Sequence, residues 1–70
     1  MTISEKIRLL ARRREMTLTA LSGKIGMSRQ NLNNKLKNDN FTVKDLQEIA
    51  VALNCSFDSV FTMLDTGEKI

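Results

Sequence analysis

The side chains that could do chemistry in this sequence are concentrated between residues 28 and 37. Guanidinium and amide groups occur there at helical spacing, at Arg29, Gln30, Asn33 and Asn34. Planar groups of this kind can form two hydrogen bonds at once, and they bind bidentately to the edges of guanine and adenine in a major groove. The stretch contains no acidic residue. These residue types therefore predict a surface that recognises nucleic acid bases.

The residue types that most enzymes and metal sites need are absent or scarce. The sequence has no histidine and one cysteine, Cys55. Structural zinc sites need about four Cys or His ligands, and nucleophilic catalysis needs a nucleophile beside a base. The chain offers neither such a pair nor a Gly-rich phosphate loop. We therefore expect no enzyme activity, no cofactor, no metal and no small-molecule ligand.

Length and cysteine usage indicate the class of protein. Seventy residues form at most one small domain. A single cysteine cannot form an internal disulfide bond, which suits a reducing compartment. No apolar run approaches the roughly 18 residues of a membrane span, and the N-terminus lacks the pattern of a signal peptide. We expect a cytoplasmic protein that has no membrane partner.

Charge is distributed unevenly along the chain. Residues 1–37 contain nine bases and two acids, a net charge of +7, whereas residues 38–70 contain two bases and six acids, a net charge of −4. A field divided in this way attracts a polyanion to one part of a molecule. The same asymmetry is compatible with a solvated surface that has no such role, so the charge supports nucleic acid binding only together with the amide-rich stretch.

One local pattern occurs four times and predicts where helices begin. In each copy a Ser or Thr follows one apolar residue and precedes another by four positions; the four are Thr17, Ser28, Thr42 and Ser56. A Ser or Thr N-cap accepts a hydrogen bond from the first helical turn, and its two apolar neighbours pack together as a hydrophobic staple. Thr2 with Glu5 three residues later is a capping box, which predicts a fifth helix start.

Hydrophobic periodicity supplies the bodies of the helices. It predicts five of them, over residues 3–14, 18–25, 29–37, 43–53 and 57–63. The last is ambiguous, because the same stretch also alternates like a strand and is followed by the turn signal Asp65-Thr66-Gly67. A C-terminal strand or hairpin therefore competes with the fifth helix, which we prefer because the cap and staple agree with it.

The connection between the second and third predicted helices is short. It consists of Gly26, Met27 and Ser28, and Gly26 stands where a left-handed residue is wanted at a helix end. A short turn that begins with Gly forces two helices to cross steeply. The third predicted helix is therefore lifted clear of the body, with Leu32 and Leu36 inward and its amide groups outward.

These segments resemble the phage repressor and Cro type of helix-turn-helix protein, the XRE family, over residues 2–61. The matching segments are IRLLARRREMT, TALSGKIGMSRQNLNNKL and FTVKDLQEIAVALNCSFDSVF. The resemblance implies an all-α, compact five-helix bundle of the lambda-repressor-like DNA-binding type. It also implies a homodimer on a pseudo-palindromic double-stranded DNA operator, with half-sites about 34 Å apart. We expect residues 1–63 to form the DNA-binding domain and residues 64–70 a short C-terminal tail.

The resemblance also implies roles for individual residues. The positions that match base-reading residues are Arg29, Gln30, Asn33 and Asn34. The positions that match phosphate contacts, or lie in the following loop where relatives grip the backbone, are Thr17, Ser28, Lys37, Asn38, Asn40, Thr42 and Lys44.

Three departures from the family pattern matter. Many relatives have a phosphate-binding Gln where this chain has Leu18, which cannot make that contact. Many also have an Arg–Glu ion pair at the positions of Ala11 and Leu36. Both members are replaced together, and apolar replacement of a buried ion pair is often neutral or stabilising. Asn38 takes the place of a Gly in the loop after the third helix, and Asn tolerates a left-handed conformation.

The resulting hypothesis is a sequence-specific, repressor-like transcriptional regulator that reads the major groove with its third helix. The alternative is a protein-interaction module, such as an antitoxin or an accessory subunit. That module would use the same fold and present the acidic second half and the C-terminal tail to a partner protein.

Overall fold

The computed structural model describes residues 1–70 and contains four α-helices. They are α1 (Ile3–Arg13), α2 (Leu18–Lys24), α3 (Arg29–Asn38) and α4 (Val43–Ala52). Each bound lies within one residue of the prediction. The all-helical class and the first four predicted helices are therefore confirmed.

Each helix begins at its predicted N-cap. The cap hydroxyls of Thr2, Thr17, Ser28 and Thr42 accept hydrogen bonds of 3.0–3.1 Å from backbone N–H groups in the first turn. The capping box of Thr2 and Glu5 is formed. Thr42 and Asp45 form a second capping box, which the Glu/Gln pattern did not predict because its acid is an Asp. Local hydrogen bonds thus fix where the helices start.

The core is formed by the inward faces of all four helices. Its seven buried members are Ile7, Ala11, Leu21, Leu32, Leu36, Ile49 and Leu53. Ala11 and Leu36, which stand where relatives have an ion pair, are each only 3% exposed and belong to this one cluster. Apolar packing therefore replaces the charged pair, and no buried charge is left without a partner.

The fifth helix and the five-helix count are wrong. Residues 57–63 are not helical, and residues 61–70 instead fold back in antiparallel pairing, with an isolated bridge between Thr62 and Lys69. Phe61 and Ile70 exchange two backbone hydrogen bonds of 2.9 Å. We call residues 61–70 the C-terminal hairpin. Gly67, at φ +76°, supplies its left-handed turn residue.

The physical reason is a competition for backbone hydrogen bonds. A helix over residues 57–63 would span only about two turns, and helices that short need a packed face to be stable. Val60, the outer half of the predicted staple, remains 58% exposed, so the staple is not formed. The turn at Gly67 instead lets the main chain pair with itself.

None of the four helices is long and apolar enough to span a membrane.

Candidate nucleic-acid interface

The turn between α2 and α3 is built as the sequence predicts. Gly26 has φ +68°, so the left-handed position falls on the one residue type that adopts it without a Cβ penalty. The backbone N–H of Met27 then donates to the carbonyl of Ser22, at 2.9 Å. Ser22 is buried, and its hydroxyl donates to the carbonyl of Thr19 at 2.7 Å. The start of α3 is thereby tied to the body of α2.

The orientation of α3 follows from two leucines. Leu32 and Leu36 are 0% and 3% exposed. A residue advances roughly 100° around a helix, so Asn34 lies opposite the midpoint of these two buried side chains. Gln30 lies beside Asn34 on this outward face, and Asn33 lies nearer its edge. All three amide residues are exposed. The side-chain hydrogen bonds at α3 are made instead by Ser28, Arg29 and Lys35.

Arg29 lies at the edge of α3 that adjoins α2. Its Nη1 donates to the hydroxyl of Thr19 at 2.7 Å. A guanidinium carries five N–H donors, so this contact fixes the side chain and leaves other donors free. The contact with Thr19 could not be predicted from the sequence, because no local pattern relates residues ten positions apart in two different helices.

Lys35 lies at the other edge of α3 and contacts α4. Its Nζ donates to Asp45 Oδ2 at 2.8 Å, and both side chains are partly buried. This hydrogen bond from Lys35, followed by the one from the backbone N–H of Thr42, lowers the pKa of Asp45 below its ordinary value. Lys35 is therefore bound to α4 and does not belong to the outward face.

The end of α3 differs from the prediction in one respect. Asn38 is the last helical residue, and the left-handed position falls on Asp39, at φ +50°. The helix is one residue longer than predicted, which moves the turn along the chain. The carboxylate of Asp39 accepts hydrogen bonds from Ser4, and its pKa is lowered, first by the Ser4 hydroxyl and then by the Ser4 backbone N–H.

Both carboxylates adjoining α3 are consequently occupied. Asp39 is held by Ser4 and Asp45 by Lys35. Lys35 offsets the charge of Asp45, whereas Asp39, which only Ser4 contacts, keeps its charge at the end of α3. The outward face itself presents amides and the cation Lys37, with Arg29 at its edge, which suits an anionic ligand with hydrogen-bonding edges.

The residues predicted to contact phosphate are all exposed. Thr17, Ser28 and Thr42 are the N-caps of α2, α3 and α4. In each cap the hydroxyl oxygen accepts from the backbone, so its own proton remains available to a phosphate oxygen. The remaining positions occupy the last turn of α3, the following loop and the first turn of α4; they are Lys37, Asn38, Asn40 and Lys44.

A helix, a turn starting at glycine and a second helix with an exposed amide face together form a helix-turn-helix. The family model of the Cro/C1-type HTH DNA-binding domain matches residues 6–64. The protein belongs to the Cro/C1-type helix-turn-helix family. No curated protein and no solved structure matches the chain.

Membership confirms the XRE-type resemblance, and it gives this Cro/C1-type domain the general role of a DNA-binding regulator. The residues that read bases and those that bind phosphate remain predictions. The matched range ends at residue 64. Residues 65–70, the second half of the C-terminal hairpin, therefore lie outside it.

Proposed function

We propose that the protein is a sequence-specific transcriptional regulator that acts as a homodimer and inserts α3 into the major groove of double-stranded DNA. The observation that carries the proposal is the outward face of α3. Its amide side chains, those of Gln30, Asn33 and Asn34, are exposed, while Leu32 and Leu36 anchor the opposite side of the helix. Two adjacent Asn residues, Asn33 and Asn34, lower helix propensity and gain no packing in return, so a binding role explains them best.

The contacts with DNA fall into two sets, one to bases and one to phosphates. Arg29, Gln30, Asn33 and Asn34 discriminate bases, each good bidentate pair contributing about 1–3 kcal/mol. The phosphate set supplies most of the affinity and fixes the register of α3 on the duplex. Its members are Thr17, Ser28, Lys37, Asn38, Asn40, Thr42 and Lys44.

The position of Arg29 supports a role at the border between the two sets. Thr19 holds its guanidinium against α2, which limits the number of conformations that the free side chain samples. A side chain already ordered in the free protein loses less rotamer entropy when it binds. Arg29 is accordingly assigned to a base near the edge of the α3 footprint, and Asn34 to one at its centre.

Selection of duplexes from a random pool by the purified protein tests this function. We expect one enriched sequence with two inverted half-sites, about 34 Å or one helical turn apart. Enrichment of a single half-site would keep the base-reading role and reject the homodimer. A pool that remains random after selection would reject sequence-specific binding.

A protein-interaction module, such as an antitoxin or accessory subunit, is the second candidate. The specific observation in its favour is the apolar surface of the C-terminal hairpin, where Phe61 and Ile70 are 83% and 72% exposed. The salt dependence of DNA binding separates the two candidates, because each phosphate contact contributes about −0.9 to the slope of log K against log salt. A slope near zero would favour the interaction module.

A further inference from the structure

The structure contains one ion pair, and it joins α3 to α4. The Nζ of Lys35 lies 2.8 Å from the Oδ2 of Asp45, and the two side chains are 25% and 16% exposed. It is also the side-chain hydrogen bond that connects these two helices. The chain has eleven basic and eight acidic residues, so most charges remain unpaired and this pair is distinctive.

The same carboxylate oxygen also belongs to the start of α4. Asp45 Oδ2 accepts from the backbone N–H of Thr42 at 3.0 Å, and the Thr42 hydroxyl accepts from the backbone N–H of Asp45 at 3.0 Å. Lys35 stands between Asn34 and Leu36 in α3. One oxygen atom therefore connects the third helix to the N-cap of the fourth.

This pair is unfavourable for a protein that binds a polyanion. It offsets the charge of a lysine in α3, and it requires an acid, Asp45, in the first turn of α4. A phosphate backbone attracts bases and repels acids, so the charge of Asp45 weakens binding to any DNA. Partly exposed ion pairs also contribute little to stability. Neither affinity for phosphate nor stability therefore accounts for the pair.

The pair lies between the two proposed sets of DNA contacts. Asn34, at the centre of the base-reading face, immediately precedes Lys35 in α3. Thr42 and Lys44, from the phosphate set, belong to the N-cap and first turn of α4, as Asp45 does. Groups that bind one ligand together must be held within about 0.5 Å of the productive geometry. An ion pair at this place can hold the two sets at a fixed spacing.

We propose that Lys35 and Asp45 are positioning residues, whose ion pair sets the spacing between the base contacts of α3 and the phosphate contacts of α4. Neither side chain contacts DNA in this arrangement. The pair determines specificity because the spacing matters only on an operator, where base and phosphate contacts form together. The inference deepens the proposed function and rests on it.

The expected effect of one substitution is opposite in sign to the effect of its charge. Asp45→Asn removes an acid, so charge alone would strengthen binding to every duplex. Loss of the fixed spacing instead weakens binding to the operator. Lys35→Met breaks the same pair by removing a base, and it leaves the capping box of Thr42 and Asp45 in place.

A double-mutant cycle measures this effect. The affinities of the wild type, Asp45→Asn, Lys35→Met and the double variant are compared on the selected operator and on random duplex DNA. We expect each single variant to weaken operator binding roughly 3- to 30-fold. The double variant should be no weaker than the weaker single variant, because the same contact is lost only once.

Matched controls give the effect of charge alone. Glu48→Gln removes an acid from α4 and Lys24→Met removes a base from α2, both at exposed positions outside the two sets of contacts. On random DNA we expect Asp45→Asn to behave like Glu48→Gln, and Lys35→Met to behave like Lys24→Met. On the operator each variant should bind more weakly than its control.

Two further measurements separate positioning from stability. Circular dichroism gives the folded fraction of each variant, and a loss of folded protein weakens binding to both DNAs equally. Lys35→Arg keeps a cation that can pair with Asp45, so it should keep the operator affinity of the wild type.

Three results would overturn the inference. They are an operator affinity that is unchanged or higher in Asp45→Asn, an equal loss on both DNAs, and losses in the single variants that simply add in the double variant. The proposed function would still stand if Asn34→Ala lost operator binding. A wild-type protein that selects no operator would overturn both.

Discussion

The carboxylate of Asp39, at the end of α3, accepts two hydrogen bonds from Ser4, in the first turn of α1. The Ser4 hydroxyl donates at 2.7 Å and the Ser4 backbone N–H at 2.8 Å. That N–H is one of the four that a helix N-terminus leaves without an internal partner, and a negative charge is favoured there. The side chain of Asp39 thus completes the start of α1 and joins it to the end of α3, 35 residues away.

Stability should fall in acid because two carboxylates are held by hydrogen bonds. The pKa values of Asp39 and Asp45 are both lowered from 3.8, by Ser4 and by Lys35 respectively. A carboxylate with a lowered pKa contributes stability above its unfolded pKa and loses it as the pH falls towards its folded pKa. We therefore expect the free energy of unfolding to decline once the pH falls to about 3.8 and below.

Asp39→Asn isolates the charge of Asp39, because Asn also tolerates the left-handed conformation. We expect a lower melting temperature at pH 7 and a weaker decline of stability in acid, measured by thermal unfolding at several pH values. Asp58→Asn, an exposed acid outside the helices, is the control and should match the wild type. If the decline of stability in acid were unchanged in Asp39→Asn, the hydrogen bonds from Ser4 would not depend on the charge of Asp39.

Two glycines in and after α2 should respond in opposite directions to the same substitution. Gly26→Ala forces a Cβ onto φ +68° and should destabilise the protein by about 1–2 kcal/mol. Gly23 is helical, and an added Cβ there meets nothing within 4 Å. Gly23→Ala should therefore stabilise by roughly 0.5–1 kcal/mol. Urea unfolding measures both, and effects of the same sign would contradict the assigned turn geometry.

Arg14 should matter more for stability than its neighbour Arg13. Its Nε donates to the Leu53 carbonyl at 2.9 Å and its Nη2 to the Asn54 carbonyl at 3.3 Å, so it caps the end of α4. We expect Arg14→Met to cost about 0.5–1.5 kcal/mol in unfolding free energy, as for a typical hydrogen bond. Arg13→Met, at an exposed position, should be close to neutral. Equal losses of unfolding free energy in the two variants would indicate a general effect of charge.

The first four helices could be predicted from the sequence because their signals are local. Each N-cap and the turn at Gly26 depend on residues within a few positions of one another. The contacts of Asp39 with Ser4 and of Arg14 with Leu53 could not be predicted, because they join residues 35 and 39 positions apart. Ser56 shows the limit of the local signal. Its cap pattern is complete, but no packed face stabilises a helix after it, and the turn at Gly67 favours a hairpin.

The face of α3 was predicted for the same local reason. Leu32 and Leu36 determine which side is buried, so Asn34 has to lie outward. The surplus of positive charge in residues 1–37 was less informative about individual residues. Lys35 counts among the nine bases of residues 1–37, but the structure pairs it with Asp45, which depends on how α3 and α4 pack.

The phosphate set should govern the salt dependence of DNA binding. Lys37→Ala and Lys44→Ala should each reduce the slope of log K against log salt by about 1, and weaken binding to all duplexes alike. Arg8→Ala removes an exposed base from α1, outside the proposed contacts, and should leave the slope unchanged. Titrations at several salt concentrations measure these slopes. A loss at Arg8 equal to that at Lys37 would mean that only the net charge matters.

The central claim, that the outward face of α3 reads bases, is tested most directly by Asn34→Ala. The affinities of the variant and the wild type are compared on the selected operator and on random duplex DNA. Gln47→Ala, which removes an exposed amide from α4, serves as control. We predict a loss of about 1–3 kcal/mol, roughly 5- to 150-fold, on the operator alone. An equal loss on both DNAs, or none on either, would contradict base reading by α3.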